Sequence, residues 1–185
     1  MGKPTNAAFF IPLVKTKPTM TNLLRDTFLT GLVVTSAAAI SQPSQKMQTP
    51  NVVLIFMDDM GYGDLSCYGA LQYKTPNLDK LASQGVRFTN FVSAQAVCSA
   101  SRAGILTGCY PNRVGISGAL MPDAKIGLNP AEETIPEVLK KRNYKTAAIG
   151  KWHLGHLREF LPLQQGFDEY LGLPYSNDMW PVNSD

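Results

Sequence analysis

Cys98, Ser101 and Arg102 stand within one short stretch, Cys-Ser-Ala-Ser-Arg, which runs on into Ala-Gly-Ile-Leu-Thr-Gly108. The stretch reads as a helix. Ser99 and Ser101 suit a cap or first turn, Ile105 and Leu106 give an apolar face, and Gly108 ends it. The Cys98 sulfur then lies at a helix N-terminus, where unpaired N–H groups and the helix dipole favour an anion. Arg102 adds a planar cationic fork suited to tetrahedral oxyanions. The chemistry on offer is a nucleophile in an anion pocket. One cysteine before a surface helix can equally be an inert buried thiol, so the choice rests on the rest of the chain.

Two further groups of residues bear on it. Residues 51–57 (NVVLIFM) form a short apolar run rich in β-branched side chains and read as a strand buried on both faces, as in a parallel sheet. Asp58 and Asp59 follow at once, then Asp64, read as a turn or capping residue. Adjacent carboxylates at the end of a buried strand are costly unless neutralised. Hard carboxylate oxygens suit Ca²⁺ or, less well here, Mg²⁺; a solvated acidic turn is the alternative. Residues 145–149 (KTAAI) read as a second buried strand, followed by Lys151 and His153. Two residues apart in extended chain, these side chains point the same way. Catalytic groups of open α/β sheets gather at the carboxyl ends of strands. Asp58, Asp59, Lys151 and His153 are therefore expected on one edge, with Cys98 near it.

The elements that must position these groups follow from pattern and punctuation. Thr75-Pro76 opens a helix that Gly85 stops, with Leu78 and Leu81 packing it on the sheet. Residues 86–92 alternate and read as a strand. Residues 114–130 are punctuated by Gly and Pro and read as an irregular loop. Thr134 and Glu137 make a capping box for a helix whose inner face is Ile135, Val138 and Leu139, ending in the solvated charges Lys140, Lys141 and Arg142. Helix then strand is half of a βαβ unit, so the fold class is α/β with a mostly parallel central sheet flanked by helices.

The Cys98-to-Gly108 stretch, with its Leu106-Thr107-Gly108 ending, resembles the signature of formylglycine-dependent sulfatases of the arylsulfatase A-like kind. Three more blocks agree in order: Met57-Asp-Asp-Met-Gly-Tyr-Gly-Asp64, Gly150-Lys-Trp-His-Leu-Gly155, and Gln165-Gly-Phe-Asp-Glu-Tyr170 with Gly172-Leu-Pro-Tyr-Ser176. The resemblance spans roughly residues 50–181. It implies the alkaline-phosphatase-like sulfatase fold and a sulfuric ester hydrolase. Cys98 is converted to formylglycine by a formylglycine-generating or anaerobic maturation enzyme, and its hydrate attacks the sulfate of an aryl or carbohydrate ester. Asp58, Asp59 and the modified Cys98 ligate Ca²⁺. Arg102 holds the hydrate, Lys151 contacts the sulfate, and His153 takes a proton so that sulfate is expelled. Ser176 lies in the substrate pocket. Cys109 stands where the family usually has arginine, which reads as tuning of the site. His156 matches no functional position and reads as ordinary surface. Trp152 and Trp180 read as core, with pocket walls as the alternative.

Composition narrows the classes further. Of 185 residues, 44% are hydrophobic and 17% charged, which is globular rather than disordered. The net charge is +3, but the first fifty residues hold +4 of it, so the domain itself is near neutral and no nucleic-acid surface is expected. Residues 28–40 are an apolar run after Arg25 that ends in small residues. It matches a secretory signal and is too short for a stable membrane span. The expected organisation is a leader over 1–40, with Met20 as the true start, a linker over 41–50, and an N-terminal portion of a catalytic domain over 51–185. Export follows, to periplasm, extracellular space or a lysosome-type compartment. Cys67, Cys98 and Cys109 are an odd set for an exported protein, and Cys67 and Cys109 could pair or stay free. The family's later Asp-Asn metal pair, histidine and lysine have no counterpart before Asp185, so a truncated chain with weak or no turnover is expected. The alternatives are a phosphonate or phosphodiester hydrolase of the same superfamily, a cysteine hydrolase pairing Cys98 with His153, or a non-catalytic binding protein.

Overall fold

The structure is a computed structural model and describes residues 49–179. The leader, Met20, residues 41–48 of the expected linker, and Trp180 lie outside the described residues. Three helices and two strands are formed: α1 (Pro76–Gln84), α2 (Cys98–Thr107), α3 (Ile135–Lys140), β1 (Ala147–Lys151) and β2 (Glu169–Leu173). Short 3₁₀ turns connect them. No described helix is long and apolar enough to cross a membrane.

β1 and β2 pair in parallel, Ala147 opposite Glu169 through Lys151 opposite Leu173. A parallel ladder with a helix before it is the expected α/β arrangement. The strand begins two residues later than KTAAI predicts, and the connection to β2 runs through 3₁₀ turns at Arg158–Phe160 and Pro162–Gln165 instead of a helix. Nor is the ladder buried: Ile149 and Leu171 are 83% and 75% exposed. Among the described residues no layer covers these two side chains.

The core forms elsewhere. Ala100 and Ala103 of α2 pack with Val114, Ile116, Leu120 and Leu128 from the connecting segment, and with Trp152 and Leu154 beyond β1. The segment read as a loop is irregular, yet it supplies half of this cluster. On α2 the buried residues are Ser99, Ala100, Ser101, Ala103 and Gly104, while Ile105 and Leu106, the expected apolar face, are half-buried. Small side chains decide the face because the backbone comes close: a Cβ on Gly104 would sit 2.9 Å from that of Ala94. Gly108 ends α2 in the left-handed conformation, φ 68°, its N–H donating to Gly104 O at 2.9 Å. In α3, Thr134 N–H donates to Glu137 Oε2 at 2.8 Å as the capping box predicts, whereas Val138 is exposed.

Two expected strands are absent. Residues 51–57 make one bridge, at Ile55, and no ladder; residues 86–92 make none. Val52, Val53, Ile55, Val86, Phe88 and Val92 are exposed. An apolar run becomes a buried strand only when neighbours pair and cover it along its length, and here the pairing is confined to the one bridge. Leu78 and Leu81 of α1 accordingly do not pack on a sheet. They face Val53, Ile55 and Met57 across an apolar cavity of about 240 Å³.

Candidate functional site

Cys98 is the first residue of α2, half-buried and not in a disulfide. Extended Val97 precedes it, so the helix opens at the cysteine itself, and no side chain caps that end. Ser101 N–H closes the first turn on Val97 O at 2.9 Å, and Ser101 Oγ donates to Cys98 O at 3.1 Å. Arg102 is one turn on, hence on the same face as Cys98. One guanidinium nitrogen donates to Lys151 O at 2.6 Å and another reaches Asp58 Oδ2 at 3.4 Å. The guanidinium lies over the Phe56 ring, 5.4 Å from its centre, and its Nε is buried without a hydrogen-bond partner among the described residues. Burial pulls the Arg102 pKa below its ordinary value, against the opposing pull of Asp58 and Cys98. From so high a starting point the group stays charged.

Asp58 is the hinge of the polar cluster. Its Oδ2 accepts from Lys151 Nζ at 2.6 Å and pairs with Arg102. Burial raises the Asp58 pKa, but the Lys151 and Arg102 charges and hydrogen bonds outweigh it and hold the carboxyl below its ordinary value. Two cations thus converge on one carboxylate oxygen. Asp59 is exposed, has no partner among the described residues, and holds a positive φ of 53°. Asp64 turns back to cap its own loop, accepting Gly61 N–H at 2.7 Å.

His153 does not follow strand alternation. Its φ is 57°, and the ring turns inward to full burial. Nε2 lies 2.7 Å from Leu120 O. A carbonyl only accepts, so that nitrogen carries the proton and the neutral ring keeps a lone pair on Nδ1. Nδ1 is buried with no hydrogen-bond partner among the described residues. Burial first, then the Lys151 and Arg102 charges, push the His153 pKa below its ordinary value despite the Leu120 carbonyl and Asp58. The result is a neutral imidazole with a bare acceptor.

Ser176 is buried and hydrogen-bonds the Asp178 carboxylate. That bond, ahead of burial's opposing effect, keeps the Asp178 pKa low; the charge also interacts with Lys151 and His153. Asp178 was not singled out from sequence, although it ends the Ser176-Asn-Asp string. His156, expected on the surface, is half-buried with its ring 5.2 Å from that of Tyr175. Trp152 is core, its indole N–H donating to Phe160 O at 2.9 Å. Cys67 and Cys109 are free thiols.

The structure therefore brings Asp58, Arg102, Lys151 and His153 together, with Cys98 one turn from Arg102. It does not gather Asp58, Asp59 and Cys98 into one cluster: no group of three metal-ligating side chains occurs among the described residues. Asp58 faces Lys151 and Arg102, whose charges neutralise it where a metal was expected to. The unpaired carboxylate of Asp59 beside it has the hard-oxygen chemistry a divalent cation needs, so the pair fits as part of a coordination shell.

A family model described as Sulfatase matches residues 50–184. Human "Arylsulfatase A" is 48% identical over 156 residues, which is 83% of this chain and 30% of that protein. Human "N-acetylgalactosamine-6-sulfatase" is 47% identical over 135 residues, 69% of this chain and 26% of that protein. Among solved structures, that of Ps i-CgsB superposes with a TM-score of 0.62 at 37% identity, over 64% of this chain and 27% of its own. The chain thus spans under a third of the length of the relatives it matches.

Proposed function

This chain belongs to the sulfatase family, and from that premise we propose that it supplies the nucleophile and anion-binding corner of a sulfuric ester hydrolase. The observation that carries the reading is the convergence of Arg102 and Lys151 on Asp58, one helical turn from Cys98.

Converted to formylglycine by a maturation enzyme, Cys98 would supply, as the aldehyde hydrate, a hydroxyl to attack the sulfate sulfur, the bond from sulfur to the ester oxygen breaking as the alcohol leaves. Arg102 orients that group, since its fork is fixed at the other end by Lys151 O and Asp58. Lys151 offsets negative charge that builds on the sulfuryl oxygens in the transition state. Asp58 holds the Lys151 ammonium in place. The bare Nδ1 of His153 accepts a proton from the hydroxyl side of the reaction. Ser176, aligned by Asp178, contacts the substrate. Asp58 and Asp59 would hold a divalent cation, Ca²⁺ in our reading, whose charge would add to that of the corner. The substrates we propose are aryl or carbohydrate sulfates, as the names of the two human relatives suggest, and the apolar run at 28–40 supports export.

The test compares release of sulfate and of phosphate from matched aryl esters, with and without Cys98→Ala. Preferential sulfate release abolished by Cys98→Ala supports the reading. Preferential phosphodiester or phosphonate cleavage moves the protein to the neighbouring activity of the superfamily, and turnover that survives Cys98→Ala removes the nucleophile.

A further inference from the structure

Ser99 has no part in the chemistry above, yet it is completely buried in the first turn of α2, next to the nucleophile. A buried hydroxyl needs a reason. Its Oγ accepts the Leu120 backbone N–H at 2.9 Å. The other side of the same residue holds His153: Leu120 O lies 2.7 Å from Nε2. The chain from Ser99 Oγ through Leu120 to the His153 ring is thus two hydrogen bonds and one residue long. It joins the start of the helix that carries Cys98 to the ring proposed as base, although the two are 54 positions apart in sequence.

We propose that Ser99 is a positioning residue that fixes the tautomer of His153 through Leu120. The proposal rests on the reading of His153 as base but concerns what orients it. Leu120 lies in an irregular segment with no ladder to hold its carbonyl direction. Two anchors set that direction: the Leu120 side chain, buried in the core cluster, and its N–H on Ser99. With the carbonyl aimed at Nε2, only the Nε2–H form of the neutral ring makes a hydrogen bond there, and Nδ1 is left bare. A misaimed carbonyl lets the Nδ1–H form compete, and that form has no lone pair on Nδ1 to take a proton. Tyr175 supports the same corner, its ring edge-on 6.4 Å from His153 and its hydroxyl donating to Pro122 O at 2.8 Å.

The experiment reads the ring nitrogens of His153 by nitrogen-15 NMR on the 185-residue chain, with His153→Gln used to assign the signals against His156. Wild type is expected to show one neutral tautomer protonated at Nε2. Ser99→Ala removes the acceptor; losing one buried hydrogen bond should raise the minor tautomer roughly fivefold. Ser99→Thr, which keeps an oxygen there, should restore the wild-type pattern. An unchanged ring spectrum in folded Ser99→Ala overturns the proposal. If Ser99→Ala does not fold, the wild-type chain decides: slow hydrogen exchange at the Leu120 amide with a single tautomer supports the relay, and fast exchange or mixed tautomers overturns it. None of these readouts uses turnover. If His153→Gln leaves sulfate release intact, the base assignment fails while the relay stands.

Discussion

Residues 49–92 and residues 93–179 are both rich in apolar side chains, but they use them differently. All eight members of the buried core cluster come from the second region. The first buries Leu65 and Ala70, leaves Val52 and Phe88 exposed, and leaves Val53, Ile55 and Val86 exposed around a cavity. The second region packs through small residues on α2 and through backbone hydrogen bonds such as Leu128 N–H to Leu154 O at 2.8 Å. The candidate site straddles the seam. Asp58, from the loosely covered region, is held by Lys151 and Arg102 from the packed one. A candidate site needs one well-packed side to set its geometry, and here the second region is that side.

The sharpest way to break this contrast is in the cluster itself. Lys151→Ala or Arg102→Ala should each lower sulfate-ester turnover by about 10²- to 10³-fold, the usual cost of one lost electrostatic contact to a transition state. Steady-state rates on an aryl sulfate check this. A loss under about tenfold would mean that the corner does not face the reacting group.

The second test is packing. Leu128, with no exposed surface, should cost about 2–5 kcal/mol on truncation to Ala. Ile55→Ala, at a residue 49% exposed, should cost under about 1 kcal/mol. Urea unfolding of both variants reads the difference. Equal losses would show that the first region is as tightly packed as the second.

pH supplies a third, smaller effect. The folded His153 pKa lies below its ordinary 6.5. The unfolded chain therefore takes up a proton that the fold resists, so the His153 contribution to stability is full above pH 6.5 and lost as pH falls through the folded value. His153→Gln should flatten that part of a melting-temperature profile. Asp58 acts lower down. Its folded pKa is below 3.8, so its contribution is present above that pH and lost as pH falls through the folded value, and Asp58→Asn should remove it. Asp168, held to about 2 by Lys140 first and by Thr146, adds to the same acid limb. The smallest expected effect is Ile149→Lys on the open face of β1, within about 0.5 kcal/mol.

How far the sequence was readable depends on what each feature rests on. α1, α2 and the Thr134–Glu137 cap followed from local punctuation, because Pro, Gly and a capping pair act through their own backbone. Part of the corner followed from local spacing too: Arg102 stands one helical turn after Cys98, and Lys151 ends β1. The strands at 51–57 and 86–92 were not legible, because pairing depends on neighbours that a local pattern does not contain. Nor was the burial of α2, where Ala and Gly replaced the larger Ile105 and Leu106 through close backbone approach. His153 turned inward on a positive φ that alternation does not foresee. The Ser99–Leu120 link needed a tertiary contact. Asp178 left only its charge as a signal.

One measurement goes to the centre of the account: the mass of the peptide spanning position 98, from protein made in a host with the maturation machinery. A peptide in which the Cys98 thiol has become an aldehyde, with sulfur lost and oxygen gained, is the result expected. An unmodified thiol in protein that nonetheless releases sulfate would contradict it.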